Sequence, residues 1–172
     1  MIRCRPSGPA YLRQVTSEPA GPAPLSSGPE PPSSDGGAIV CRLGNDLDLD
    51  AVIELYRAST LGERRPVDDR ARMADMLRNA NLVVSAWDGD LLVGIARSMS
   101  DFAYCTYLSD LAVRRSHQRR GIGRELMRRT QQAGGRAQII LLAAPKAVDY
   151  YPHVGFQHHP QAWVLGPDSA LK

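Results

Sequence analysis

The stretch YLSDLAVRRSHQRRGIGRELMRR, residues 107–129, changes character twice. Its first part closes on Leu111-Ala112-Val113 and reads as the end of a strand rich in β-branched and aromatic residues. Its last part reads as an amphipathic helix that runs to about Ala133 and stops at Gly134-Gly135. Between them lies a basic turn with Gly121 and Gly123 one residue apart. A strand, a tight glycine turn and a helix start together make an anion site. The first N–H groups of the helix have no internal partner, and the helix dipole favours negative charge there. Neither glycine carries a Cβ, so a phosphate can approach the main chain closely. Gln118, Arg119 and Arg120 add side-chain donors.

Two familiar phosphate turns are excluded. A P-loop requires G-x-x-x-x-G-K-[ST], and no such string occurs. A dinucleotide turn requires a third glycine where this chain has Leu126. On its own, a G-x-G before a helix is also what a plain tight turn looks like, so the surroundings must decide. From Arg114 to Arg136 there are eight arginines against one acid, Glu125, a run that also suits a solvated helix face. The net charge of +3 is too small to imply a dedicated nucleic-acid binder.

The 172 residues suffice for one domain with a sizeable core. Eight of the thirteen prolines fall in residues 1–37, among Ser and Gly. That composition buries too little apolar surface to offset its ordering entropy, so 1–37 is expected to be a disordered leader or an early-assigned start. The first residues are Arg-containing and acid-poor, as in organelle transit peptides, although Pro and Gly work against an amphipathic helix. No apolar run approaches the ~20 residues of a membrane span. Cys4, Cys41 and Cys105 form no C-x-x-C pair, which fits a reducing, cytoplasmic setting and no metal site.

Residues 38–172 are expected to form a single domain. AIVCRL reads as a strand, and the following helix is expected to open at Asn45 or Asp46. A second helix is expected from about Val67 to Arg78, with Met73, Met76 and Leu77 inward. NLVVSAW and LLVGIARSM read as a hairpin turning at Asp88-Gly89. Beyond the glycine turn and its helix, AQIILLAA is nearly all apolar and is expected to be a central strand covered on both faces. PKAVDYY suggests a short helix with Pro145 in its first turn. GFQHHPQAWVL is expected to close the domain as a last strand, whose exposed edge could pair with a second subunit in a homodimer.

The segment from Tyr107 to Met127 resembles the GCN5-related N-acetyltransferase (GNAT) superfamily, in which a strand ending L-A-V precedes [QR]-x-x-G-x-[GA] at a helix start. YYPHVGF, residues 150–156, resembles the family's Tyr-x-x-x-Gly-Phe element after the next strand. The resemblance covers residues 38–165. It implies an α/β (α+β) fold with a mixed, mostly antiparallel sheet of about six to seven strands flanked by about four helices. It also implies that acetyl-CoA is the cosubstrate, with no metal. Gln118, Arg119, Arg120, Gly121, Ile122 and Gly123 match the family's pyrophosphate turn, and Leu111 and Val113 match the strand positions that meet pantetheine. Tyr151 matches the residue that protonates the departing thiolate. Many members carry Asn seven residues before that tyrosine, where this chain has Ala144.

The implied reaction is direct acetyl transfer to a primary amine, on a small molecule or a peptide, in a ternary complex. A strand amide near Val113 would polarise the thioester carbonyl. Asp110 is either the base that receives the amine proton or a carboxylate that ties down the turn. Asp101, Phe102, Tyr104, Tyr107 and Ser109 form an acidic and aromatic set suited to a cationic amine, and Glu63, Asp68 and Asp69 stand on the expected rim. Two other readings are an acyl-CoA sensor without turnover, and an enzyme acting on a tRNA- or protein-borne amine.

Overall fold

The computed structural model describes residues 38–169. A five-stranded sheet runs in the order β1-β2-β3-β4-β5, from Val40–Leu43, Leu82–Asp88, Leu91–Ser100, Cys105–Val113 and Gln138–Ile140. The first four strands are antiparallel to their neighbours, and β5 lies parallel to β4. Helices α1 (Leu49–Ala58) and α2 (Arg70–Arg78) are packed on one face, and α3 (Ile122–Ala133) and α4 (Tyr150–His153) on the other. Val52, Leu55, Tyr56, Met73 and Ile95 anchor the first core layer, and Val84, Val93, Leu108, Leu126 and Met127 the second. This is the expected mixed, mostly antiparallel sheet with four helices, with fewer strands than expected.

The helix starts follow local chemistry, one turn later than expected. Asp48, rather than Asn45 or Asp46, caps α1 by accepting from the backbone N–H groups of Asp50 and Ala51. Asn45 instead donates to the carbonyls of Leu77 and Ala80 at 2.5 and 2.8 Å, which ties α1's entry to α2's exit. Asp69 caps α2, so that helix begins at Arg70 and not at Val67. The hairpin of β2 and β3 forms as expected, but its turn is Gly89-Asp90 and not Asp88-Gly89, because Asp88 still pairs with Leu91 as the last residue of β2.

The far edge departs from expectation. AQIILLAA is not a central strand: β5 keeps three residues, pairs only with β4, and leaves Ile140 and Leu142 exposed. The strand expected at GFQHHPQAWVL does not form, and residues 157–165 are exposed. Pro160 has no N–H for a ladder, and the N–H of Gln161 turns back to donate to His159 Nδ1. Without that strand, β5 has no outer neighbour among the described residues.

Two irregularities in β4 position the site. Leu108 pairs with Ser98 and Asp110 with Arg97, so Ser109 is an extra residue, a β-bulge. Pairing with β5 ends at Tyr107–Ile140, beyond which β4 runs on to Val113 without that neighbour.

Candidate functional site

Where β4 loses β5, a cavity of about 520 Å³ opens. Leu111 and Val113 of β4, the start of α3, Tyr150 and Tyr151 of α4, and the 3-10 turn Thr60–Arg64 enclose it. Of the residues expected to hold the cofactor, Leu111, Val113, Gln118, Arg119, Gly121, Ile122 and Gly123 all line this cavity. Arg120 does not.

The turn itself is built for close approach. Gly121 sits at φ +80°, and a Cβ added there would meet nothing within 4 Å. Arg119, not a glycine, is also left-handed at φ +64°, a conformation uncommon for such a residue. A Cβ on Gly123 would meet the Tyr150 hydroxyl at 3.6 Å and Val113 at 3.8 Å, so packing does not demand glycine there. What both glycines preserve is bare main chain facing the cavity. No side chain caps α3, and its first amides are left for a ligand. Gln118 donates from Nε2 to the Val113 carbonyl at 3.0 Å, pinning the turn to the end of β4. His117 also lines the cavity, held between Ser116 Oγ at 2.8 Å and Asp88 Oδ2 at 3.1 Å.

Much of the arginine run is neutralised internally. Arg114 pairs with Glu54, Arg115 with Glu63, and Arg128 and Arg129 with Glu125. Those two guanidiniums hold the Glu125 carboxyl down at about 2. Arg119 and Arg124 remain at the cavity, without ion-pair partners among the described residues. They suit a polyphosphate better than the whole run suits a nucleic acid.

Tyr151 is half-buried and lines the cavity. Its ring meets Tyr150 and Phe156 edge-to-face, with centroids 5.6 and 5.5 Å away. The Phe156 N–H donates to the Tyr151 carbonyl at 3.0 Å, so the Gly-Phe element braces the tyrosine from behind. Burial pushes the Tyr151 phenol up, Tyr150 adds to this, and Arg64 pulls the other way. Tyr150 was not singled out from sequence, although it follows directly from its neighbour on a short helix.

Asp110 sits in a buried ion-pair cluster. It is 1% exposed and accepts from Arg65 Nε and Arg97 Nε at 2.5 Å each, and from the Tyr56 hydroxyl at 2.8 Å. Arg65 further donates to the Ser109 carbonyl and Arg97 to the Ser109 hydroxyl, so the cluster clamps the bulge to the 3-10 turn. Two guanidiniums and a phenol take three of the carboxylate's roughly four acceptor positions, and the group is buried, which suits it to tie down the strand. Burial and the Asp110 charge push the Tyr56 phenol far up, which keeps it a donor. Arg65 and Arg97 were missed, yet a buried aspartate implies paired cations.

The acidic and aromatic set is not assembled at the cavity. Asp101, Phe102 and Tyr104 lie in the β3–β4 loop, at the opposite end of β4 from the glycine turn. Asp101 is engaged there by the N–H groups of Ala103, Tyr104 and Cys105. Tyr107 and Ser109 lie on the α2 side of β4, and neither lines the cavity.

The acetyltransferase (GNAT) domain family matches residues 60–163, which include the 3-10 turn, β4, the glycine turn and Tyr151. The chain belongs to this family. An uncharacterized, ycf52-like N-acetyltransferase of Prochlorococcus marinus is 29% identical over 142 residues, spanning 78% of this chain and 73% of the relative. A GNAT-family acetyltransferase of Streptococcus pneumoniae TIGR4 is 27% identical, with a TM-score of 0.59 over 74% of this chain and 98% of its own. An aminoglycoside N-acetyltransferase solved with CoA shares the fold at 17% identity, with a TM-score of 0.62 over 78% of this chain and 98% of its own. This GNAT chain is an N-acetyltransferase.

Proposed function

We propose that the protein transfers the acetyl group of acetyl-CoA directly to a primary amine of a small molecule or peptide. The observation that carries this reading is the uncapped start of α3 facing one cavity with the bare half of β4 and Tyr151. The amides from Gly121 to Gly123, with Arg119 and Arg124, would hold the pyrophosphate. The edge of β4 from Leu111 to Val113 that β5 leaves open, opposite its ladder with β3, would take the amides of the pantetheine arm, as an added strand does.

The amine nitrogen attacks the thioester carbonyl carbon, the C–S bond breaks, and CoA leaves as thiolate. A β4 amide near Val113 polarises the carbonyl, Tyr151 gives its phenolic proton to the sulfur, and the amine loses its proton to water. The raised phenol remains protonated well past neutral pH, as an acid must. Tyr151→Phe is expected to cut kcat by roughly 100-fold with CoA affinity nearly unchanged, measured by thiol release and by thermal shift with CoA. Equal loss of both denies Tyr151 the acid role. Stabilisation by CoA without thiol release from any amine in a broad panel would favour the sensor reading.

A further inference from the structure

Helix α4 brings two tyrosines to the cavity, Tyr150 and Tyr151. Their rings meet edge-to-face with centroids 5.6 Å apart, so each limits the swing of the other. Main-chain bonds hold the short helix beneath them. The Val154 N–H donates to the Tyr151 carbonyl and the Gly155 N–H to the Pro152 carbonyl, both at 3.1 Å. Tyr150 is thus a braced arm, although 41% of the residue is exposed.

The end of that arm lands on the glycine turn. A Cβ built on Gly123 would lie 3.6 Å from the Tyr150 hydroxyl and 3.8 Å from Val113. The hydroxyl therefore sits where the end of β4 meets the first turn of α3. Tyr56 shows the other fate of a phenol in this fold, since its hydroxyl is spent on Asp110. The Tyr150 hydroxyl has no hydrogen-bond partner among the described residues, and the tyrosine shares its cavity with the uncapped turn. Arg124, the residue after Gly123, lines the same space. Burial pushes the Tyr150 phenol up, against the pull of Arg124, so it keeps its proton and donates. A phenol, bare amides and a guanidinium in one place suit a phosphate, whose oxygens accept several bonds at once. Gly123→Ala would put a methyl into the gap between hydroxyl and main chain, which gives the glycine a reason that packing does not supply.

We infer that Tyr150 is a further cofactor-binding residue, whose hydroxyl donates to the pyrophosphate of acetyl-CoA alongside the α3 amides. The inference rests on the acetyl-transfer reading above and adds a side-chain donor to its cofactor seat.

The test uses the full chain and CoA. Titration calorimetry gives the CoA dissociation constant for the wild type, Tyr150→Phe and Tyr150→Leu, and phosphorus NMR reads the phosphates of bound CoA. Tyr150→Phe removes only the hydroxyl and is expected to weaken CoA roughly tenfold, with Tyr150→Leu adding little. In Tyr150→Phe the pyrophosphate resonances of bound CoA should move while the ribose phosphate resonance stays in place. The urea midpoint of the ligand-free protein should be the same as in the wild type. Unchanged CoA affinity in Tyr150→Phe overturns the inference alone. So does a loss that appears only in Tyr150→Leu, which would make the ring the contact. Movement of the ribose phosphate resonance in place of the pyrophosphate resonances overturns it too. A lowered urea midpoint with unmoved pyrophosphate resonances assigns Tyr150 to the fold and overturns it as well. Failure of the wild type to bind CoA removes the acetyl-transfer reading along with the inference.

Discussion

Helices α1 and α3 begin in opposite ways. At α1 the Asp48 carboxylate closes the first turn, accepting from Asp50 and Ala51, and the helix end is finished by its own chain. At α3 the corresponding position is Gly121, which has no side chain to offer and leaves the amides open to the cavity. Both ends carry the same dipole and the same orphan donors. The difference lies in who satisfies them: one end is a structural joint, the other a receptor. A missing cap is therefore informative when the amides face a cavity, when two residues of the turn are left-handed, and when unpaired cations stand nearby.

The contrast can be broken most severely at Gly121. Gly121→Val puts a branched side chain at φ +80° into the space a phosphate needs, and stabilisation by CoA in a thermal shift should vanish. Retained stabilisation would mean that the anion sits elsewhere. Next in size is Asp110→Asn, which leaves two guanidiniums without their buried counter-charge. It should cost about 3–5 kcal/mol in urea unfolding while the remaining folded protein still responds to CoA. Asp48→Ala should cost about 1 kcal/mol and leave the CoA response untouched, since that cap serves only the fold. A chain lacking residues 1–36 is expected to keep its melting temperature, and a clear drop would make that segment part of the domain.

The cofactor side was legible because its signals are local. Leu111 to Val113, the Gln118–Gly123 turn and Tyr151 with Gly155 and Phe156 are short local strings, and their resemblance to the family's motifs is what implies their roles. The structure brings all of them except Arg120, Gly155 and Phe156 to the lining of one cavity. The acceptor side was not legible, because its charges are decided by partners distant in sequence. Glu63 finds Arg115 across fifty-two residues, and Asp110 finds Tyr56 across fifty-four. Composition shows an acid on a loop but not the arginine that occupies it. Apolar content misled at β5, where Ile139 to Leu142 suggested a covered strand but no outer neighbour forms among the described residues. Asp101 to Tyr104 were read as pocket residues from their chemistry alone, whereas the length of β4 carries them to the far end.

The extra residue at Ser109 sets the phase of everything after it. Before it, Thr106 and Leu108 face the α3 layer; after it, Leu111 and Val113 do, while Asp110 and Ala112 turn toward α1. Odd and even positions exchange sides within one strand. Removing Ser109 would restore a regular pleat and leave Leu111 and Val113 facing the cavity and Asp110 facing α1, because the bulge sets Ser109 and Asp110 side by side on one face. What such a deletion would take away is a double anchor, the Ser109 carbonyl that receives Arg65 and the Ser109 hydroxyl that receives Arg97.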